Sequence, residues 1–320
     1  MASLPAVQSQ RAISTRPAGL DDLLEAFLKD QDVKASSRAT YKRSLRQFSS
    51  WLQETGRDQE LSSLQRDDLL TYKQELQAAG KSAYTVSLYL VAVRRFFQWL
   101  EAKKIYPDVT RGVKGAKKPA GHRKDVLSED QLRQALETID RSSTEGLRDY
   151  ALFNLLARTG LRTIEVARAL VGDIRQEPGL QAGERVLWIQ GKGRDSKDEL
   201  VVLRPETLAP LQEYLKARGQ AFSKPEDPLF LSESDRNYGE PLSTRTISRT
   251  VKETLRSIGL DDLRLTAHSL RHTAITLAIL GGASPQQAQA MARHSDIKTT
   301  LGYFHNLNRV QAAAERFINF

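Results

Sequence analysis

The sequence predicts a mainly α-helical protein of two domains, the second carrying a small antiparallel β-sheet. Three features of the 320 residues lead there. Apolar side chains recur at three- and four-residue spacing through residues 20–100, the period of helices with one buried face. Two β-rich runs, residues 186–190 and 199–203, flank a glycine-bearing loop as a hairpin would. Between the halves lies Val113-Lys-Gly-Ala-Lys-Lys-Pro-Ala-Gly-His-Arg-Lys-Asp125, which has no hydrophobic period and reads as a linker.

Residues 1–17 hold few large apolar side chains and are expected to be disordered. Leu20, Leu23, Leu24, Phe27 and Leu28 mark a first helix. Ser36 and Ser37 precede a second, which carries Tyr41, Leu45, Phe48, Trp51 and Leu52. A third spans about Arg66 to Ala79, and a fourth, after Gly80-Lys-Ser82, carries Val86, Leu90, Val93, Phe96, Phe97 and Leu100. Short connections make these four a compact bundle over residues 18–112. The linker occupies 113–125 and a second domain 126–303. There Ser128, with Gln131 three residues on, signals a helix start. Further helices are expected at about 128–139, 145–158, 206–217, 243–257, 268–281 and 284–292, with a last one after Asn308. In the tail, 304–320, Val310, Ala313, Ala314, Phe317 and Ile318 form an apolar stripe that must be buried somewhere.

Composition excludes several classes of function. With no cysteine there is no disulfide, thiol nucleophile or thiolate metal site. No apolar run is long enough for a membrane span, and residues 1–10 lack the marks of a secretion signal. The protein is expected to be cytoplasmic and associated with the nucleoid. Its net charge of +9 suits a polyanion, and the excess is localised. Residues 1–112 hold 17 Lys/Arg against 13 Asp/Glu, residues 113–125 hold 5 against 1, and the remainder 26 against 25. Candidate phosphate contacts are therefore Arg38, Lys42, Arg43, Lys81, Arg94 and Arg95 on the helix faces. Lys114, Lys117, Lys118, Arg123 and Lys124 are the candidates in the linker.

Four of the five histidines, His268, His272, His294 and His305, fall within 38 residues. His268 and His272, at i and i+4, have the spacing of a helical metal pair, but Arg271 between them disfavours a dication. Core histidines held by backbone groups are an equal reading for His272 and His305. Anion chemistry accounts for more of the neighbourhood. His268 and Arg271 share a helix face, and Arg162 follows a glycine turn into a helix whose Glu165 can hold its guanidinium. Arginine grips phosphate with a planar fork and does not titrate away. Two arginines, a loop lysine and two histidines would trap a phosphoryl transition state. The nucleophile to match is Tyr303: its phenol, of ordinary pKa about 10, is expected to be drawn towards phenolate by clustered cations.

These blocks resemble the tyrosine recombinases of the phage-integrase family. The matching segments are Thr159-Gly-Leu-Arg-Thr-Ile-Glu165, Gly191-Lys-Gly193, His268-Ser-Leu-Arg-His-Thr273 and Ala292-Arg-His-Ser-Asp-Ile-Lys-Thr-Thr-Leu-Gly-Tyr303. The key positions are separated by 30, 76, 3, 23 and 9 residues. The helical first half is similar to the family's core-binding domain, so the resemblance covers residues 20–320. It implies that Arg162 and Arg271 clamp one DNA phosphate and that Tyr303 attacks it to give a 3′-phosphotyrosine. Lys192 would protonate the departing 5′-oxygen, His268 would assist proton transfer at the tyrosine, and His294 would hydrogen-bond the phosphate. Glu165 would support Arg162. No metal and no nucleotide cofactor is implied. The implied partners are double-stranded DNA and other protomers of a tetramer, linked by the apolar tail. The reaction would be integration, excision or resolution through a Holliday junction. The segment ahead of the first helix is short, which leads to the expectation of a simple type without an arm-binding domain.

Two departures from the family stand out. Ala292-Arg293 replaces the usual Leu-Gly before His294, and the hairpin loop around Lys192 is longer and more acidic, which makes Lys197 a rival for the general acid. Alternative readings are a relaxing topoisomerase of type IB character, a non-catalytic DNA-binding regulator on the same fold, and a metal-dependent phosphoesterase.

Overall fold

The computed structural model describes residues 19–57, 63–117, 126–191 and 193–311, with side chains through Phe304. The chain divides into two compact units, Met1–Ala120 and Gly121–Phe320.

The first unit is a bundle of α1 (Leu20–Asp30), α2 (Ala35–Glu54), α3 (Arg66–Ala78) and α4 (Ala83–Ala102). Its periodic apolar residues turn inward. Phe27, Phe48, Phe96 and Phe97 are fully buried and meet largely edge-to-face. Burying each such ring contributes roughly 1.5–3 kcal/mol. Ser82 starts α4 by accepting the Thr85 N–H at 3.2 Å, which satisfies one of the helix's orphan donors. The expected linker differs from a free connector at its start. Val113 and Ala116 are buried in the bundle core, and Arg94 donates to the Val113 carbonyl at 2.9 Å. Two small apolar residues outside any helical pattern gave too little periodicity to show this.

The second unit is built around α6 (Thr144–Thr159), buried along most of its length and packed against α8 (Pro205–Ala217) and α10 (Ala267–Leu280). α5 (Glu129–Glu137) opens on the Ser128–Gln131 capping box. α7 (Thr163–Ala167), α9 (Thr244–Ser257), α11 (Pro285–Ala292) and α12 (Ile297–Gln311) complete the helices among the described residues. β1 (Ile174–Arg175), β2 (Arg185–Ile189) and β3 (Glu199–Leu203) form an antiparallel sheet in that order, with Ile174 opposite Leu187 and Leu187 opposite Val201. β2 and β3 are the expected hairpin. β1, at two residues, is too short to show an alternation.

The last helix also differs from expectation. It begins at Ile297, well before Asn308, because the Asp296 carboxylate accepts the Lys298 N–H at 2.9 Å and so caps the first turn. Thr299, Thr300 and Gly302, weak helix formers, hid this start. Tyr303 therefore sits within a helix, on a face that packs with Ile275, Ile279, Ala288 and Ala292. Val310 and the rest of the expected apolar stripe lie outside the described side chains.

Candidate active site

Four helix ends converge on one cluster of charges. α6 stops at Gly160, which has a left-handed φ of 61° and close neighbours in the Ala274 Cβ and the Arg271 carbonyl. Both features favour glycine there. The reversal places Arg162 as the extended residue before α7. Glu165, on that helix's first turn, accepts the Arg162 backbone N–H at 2.8 Å and its guanidinium Nη1 at 2.7 Å. One carboxylate thereby caps α7 and orients the arginine. Glu165 is fully buried, while the Arg162 side chain keeps 27% of its surface open.

Arg271, one turn into α10, is buried. Its Nη1 donates to the Gly160 carbonyl at 2.6 Å and its Nη2 to the Ala292 carbonyl, tying the ends of α6 and α11 together. Burial, with Arg162 and Arg293 close by, pulls its guanidinium down to about 10, which leaves it cationic at neutral pH. Burial alone would lift the Glu165 carboxyl, yet Arg293 and Arg162 hold it below its ordinary value.

The histidines and the tyrosine form a second line of contacts. His294 Nδ1 lies 2.9 Å from the Thr300 hydroxyl, and its ring stacks near Tyr303 with centroids 6.2 Å apart. Tyr303 Oη is 2.5 Å from His272 Nδ1, and the His272 ring meets that of His268 edge-to-face at 4.4 Å. His272 is the residue that sequence reasoning missed, since it divided His272 evenly between core packing and other roles. Its spacing of four from His268 was the available signal. The structure thus brings Arg162, Glu165, Arg271, His294 and Tyr303 together, with His268 reached through His272.

The cations do not draw Tyr303 towards phenolate as expected from sequence. At 3% exposure its phenol is pushed up to about 12 by burial, against the opposite pull of Arg271. Desolvation penalises the charged form more than one nearby cation favours it. An acid raised in the folded state contributes constant stability below its unfolded value of about 10, lost as pH rises towards about 12, because the unfolded chain releases the proton first. An ultraviolet titration of the wild type minus Tyr303→Phe is therefore expected to show no ionisation of this phenol near its ordinary value. A transition there would contradict the burial effect.

Lys192 lies outside the described residues. Its rival Lys197 is committed elsewhere: its Nζ pairs with the buried carboxylate of Asp173 at 2.5 Å. On the first unit Arg38, Lys42, Arg43, Lys81, Arg95, Lys114 and Lys117 are exposed, and Arg94 is half-buried; Lys118, Arg123 and Lys124 lie outside the described residues. Tyr84, Leu88 and Val91 add an exposed apolar row on the face of α4 that carries Arg95, at spacings of 4, 3 and 4. Their periodicity was legible, but an apolar residue on the outer face reads as core until its neighbours are known.

Comparison with known proteins fits this geometry. Residues 125–309 match the phage integrase family and residues 20–104 the phage integrase N-terminal SAM-like domain. A tyrosine recombinase of Synechococcus elongatus is 30% identical over 307 residues, 93% of this chain and 92% of the relative. The tyrosine recombinase XerD of Listeria monocytogenes is 28% identical over 294 residues, 89% of this chain and 94% of the relative. Among solved structures, the XerH site-specific recombinase in a post-cleavage complex with its difH substrate superimposes with a TM-score of 0.73. It shares 22% identity, covering 93% of this chain and 84% of that one. Among the described residues no helix is long and apolar enough to cross a membrane. With a phage integrase match over most of its length and a tyrosine recombinase 30% identical across nearly all of both chains, this chain belongs to the phage integrase family of tyrosine recombinases.

Proposed function

We propose that this protein is a site-specific DNA recombinase that cuts and rejoins strands through a 3′-phosphotyrosine on Tyr303. The observation that carries this is the convergence of Arg162, Arg271, His294 and Tyr303, from four separate stretches of the chain, on one charge cluster. The arginines take the non-bridging oxygens of the scissile phosphate, and their charge stabilises the pentacoordinate transition state. The Tyr303 oxygen bonds to phosphorus as the bond to the 5′-oxygen breaks. The tyrosine proton leaves towards the histidines, His268 assisting, and Lys192 gives a proton to the departing oxygen. His294 donates to the phosphate. The phosphodiester free energy is kept in the covalent link, so a 5′-hydroxyl of another strand reseals it, giving a Holliday junction and then recombinant duplexes. No metal or nucleotide enters these steps.

The first unit, residues 18–112, holds the DNA. Arg38, Lys42, Arg43, Lys81, Arg94 and Arg95 follow phosphates, joined by Lys114, Lys117, Lys118, Arg123 and Lys124 of the 113–125 segment. Tyr84, Leu88 and Val91 between them suit apolar contact with thymine methyl groups. Residues 126–303 do the chemistry, and the tail 304–320 joins protomers of a tetramer. A groove of about 500 Å³ on the second unit, in which Leu132, Leu136, Ala274 and Leu277 alternate with the polar Arg133, Asn154, Arg158 and Arg204, is of a size to take such a segment. Among the solved neighbours, XerH and lambda integrase are bound to their DNA sites, which supports a duplex partner for this chain. The protein works in the cytoplasm, on the nucleoid.

The test is adduct formation on nicked duplexes from the flanking genomic DNA, in EDTA. The wild type forms a covalent adduct, and cleavage seen only when magnesium is restored overturns the proposal. Lys192→Ala lowers the rate by about 10²–10⁴, the usual contribution of a general acid. A substrate with sulfur at the 5′-bridging position, whose thiolate departs without a proton, restores it. Lys197→Ala stays near wild type, because Asp173 holds that ammonium. A sulfur-rescued loss in Lys197→Ala instead would reverse the assignment.

A further inference from the structure

The departure from the family at Arg293 is built into the site. Arg293 stands where the family usually has glycine, and it keeps a left-handed backbone with φ 51° and ψ 48°. Its side chain is 2% exposed. Nη2 donates to Glu165 Oε2 at 2.9 Å and reaches the Gly160 carbonyl at 3.4 Å, while Nη1 donates to the Met291 carbonyl at 2.6 Å. The Arg293 carbonyl in turn accepts from Arg162 Nη2 at 3.3 Å. Arg293 therefore touches both groups that set the direction of Arg162: the carboxylate through its side chain and the guanidinium through its backbone.

A residue with a Cβ in this conformation carries strain that glycine would avoid. Its Nε is buried without a hydrogen-bond partner among the described residues, a further cost. What arginine adds is charge. Around the single carboxylate of Glu165 stand three guanidinium groups, of Arg162, Arg271 and Arg293, with Glu199 at the start of β3 near enough to act on Arg293. Without Arg293, the carboxylates of Glu165 and Glu199 would balance Arg162 and Arg271; the third guanidinium restores a surplus positive charge. A phosphate carries one negative charge and a pentacoordinate phosphorane two, so an added positive charge stabilises the transition state more than the ground state.

We propose that Arg293 is a positioning residue for strand cleavage, which fixes Glu165 and Arg162 and supplies a third buried positive charge behind the scissile phosphate. This rests on the recombinase reading above. Two variants and two substrates test it. Arg293→Gly suits the left-handed backbone and removes the charge, whereas Arg293→Lys keeps the charge without the fork. Each is compared with wild type on a nicked duplex bearing an ordinary scissile phosphodiester, and on one bearing a neutral methylphosphonate there. Removing a direct oxyanion donor costs about 10²–10³ in rate, and a group acting from behind is expected to cost about tenfold or more.

On the phosphodiester, Arg293→Gly is expected to form adduct at least about tenfold more slowly than wild type, Arg293→Lys falling between, with DNA binding within about twofold. On the methylphosphonate, where there is less charge to neutralise, the gap between wild type and Arg293→Gly should close. A merely structural residue would lose the same factor on both substrates, and that result overturns the proposal, as does an Arg293→Gly rate equal to wild type on the phosphodiester. Failure of the wild type itself to form adduct sinks the recombinase reading instead, so the two failures are distinguishable.

Discussion

Glu165→Gln is expected to lower the stability of the second unit by about 3–5 kcal/mol, the usual cost of breaking a buried ion pair from one side. The carboxylate has no solvent exposure and meets Arg162 at 2.7 Å and Arg293 at 2.9 Å, while also capping α7 at the Arg162 N–H. Glutamine can keep the cap through its carbonyl oxygen, but its amide group then faces a guanidinium donor to donor. Arg162, Arg271 and Arg293 would be left to repel each other with little water between them. At roughly 2–4 °C per kcal/mol for a unit of this size, the unfolding midpoint should fall by about 6–20 °C. Sulfate or phosphate should recover part of the loss by binding among the arginines. A midpoint equal to that of wild type would mean that Glu165 is not the counter-ion of the cluster.

The largest effect on activity is expected from Tyr303→Phe. The change removes the oxygen that the proposed mechanism makes the nucleophile, and with it one hydrogen bond to His272. Losing such a bond costs about 0.5–1.5 kcal/mol of stability. The ring still fills its place against Ile275, Ile279 and Ala292, so fold and DNA binding should persist. Covalent adduct should vanish. The sequence holds no cysteine, and the other hydroxyl at the histidines, that of Thr300, is engaged with His294 Nδ1 at 2.9 Å. In the free protein this phenol is protonated and buried at neutral pH. In the proposed mechanism, attack therefore requires DNA to draw α12 away from that packing or to bring its phosphate to it.

The bundle helices were legible because Leu24, Phe27 and Leu28, and likewise Val93, Phe96, Phe97 and Leu100, fall at three- and four-residue spacing, and the hairpin because its runs are rich in β-formers and bounded by glycine. The arginine, histidine and tyrosine series was legible because the proposed phosphoryl transfer needs those residue types, and their spacing is set by the elements that carry them. The remainder depended on packing. The contact of His272 with Tyr303 follows from α12 starting at Ile297, a start that Thr299, Thr300 and Gly302 disguise. The raised phenol follows from a small apolar cluster contributed by three helices, which no local pattern reveals. Arg293 showed in the sequence as a departure; that it is buried against Glu165 is a fact of the fold.

The measurement that tests the tyrosine mechanism most directly is the chemical identity of the protein–DNA link. Wild type and Tyr303→Phe are incubated in EDTA with a nicked duplex carrying the target site, the adduct is digested with protease and nuclease, and the modified peptide is sequenced by mass spectrometry. The mechanism predicts one peptide, with the 3′-phosphate of the cleaved strand on Tyr303, present in the wild type and absent from the variant. A phosphate on any other residue, or an adduct of equal yield in Tyr303→Phe, would contradict it.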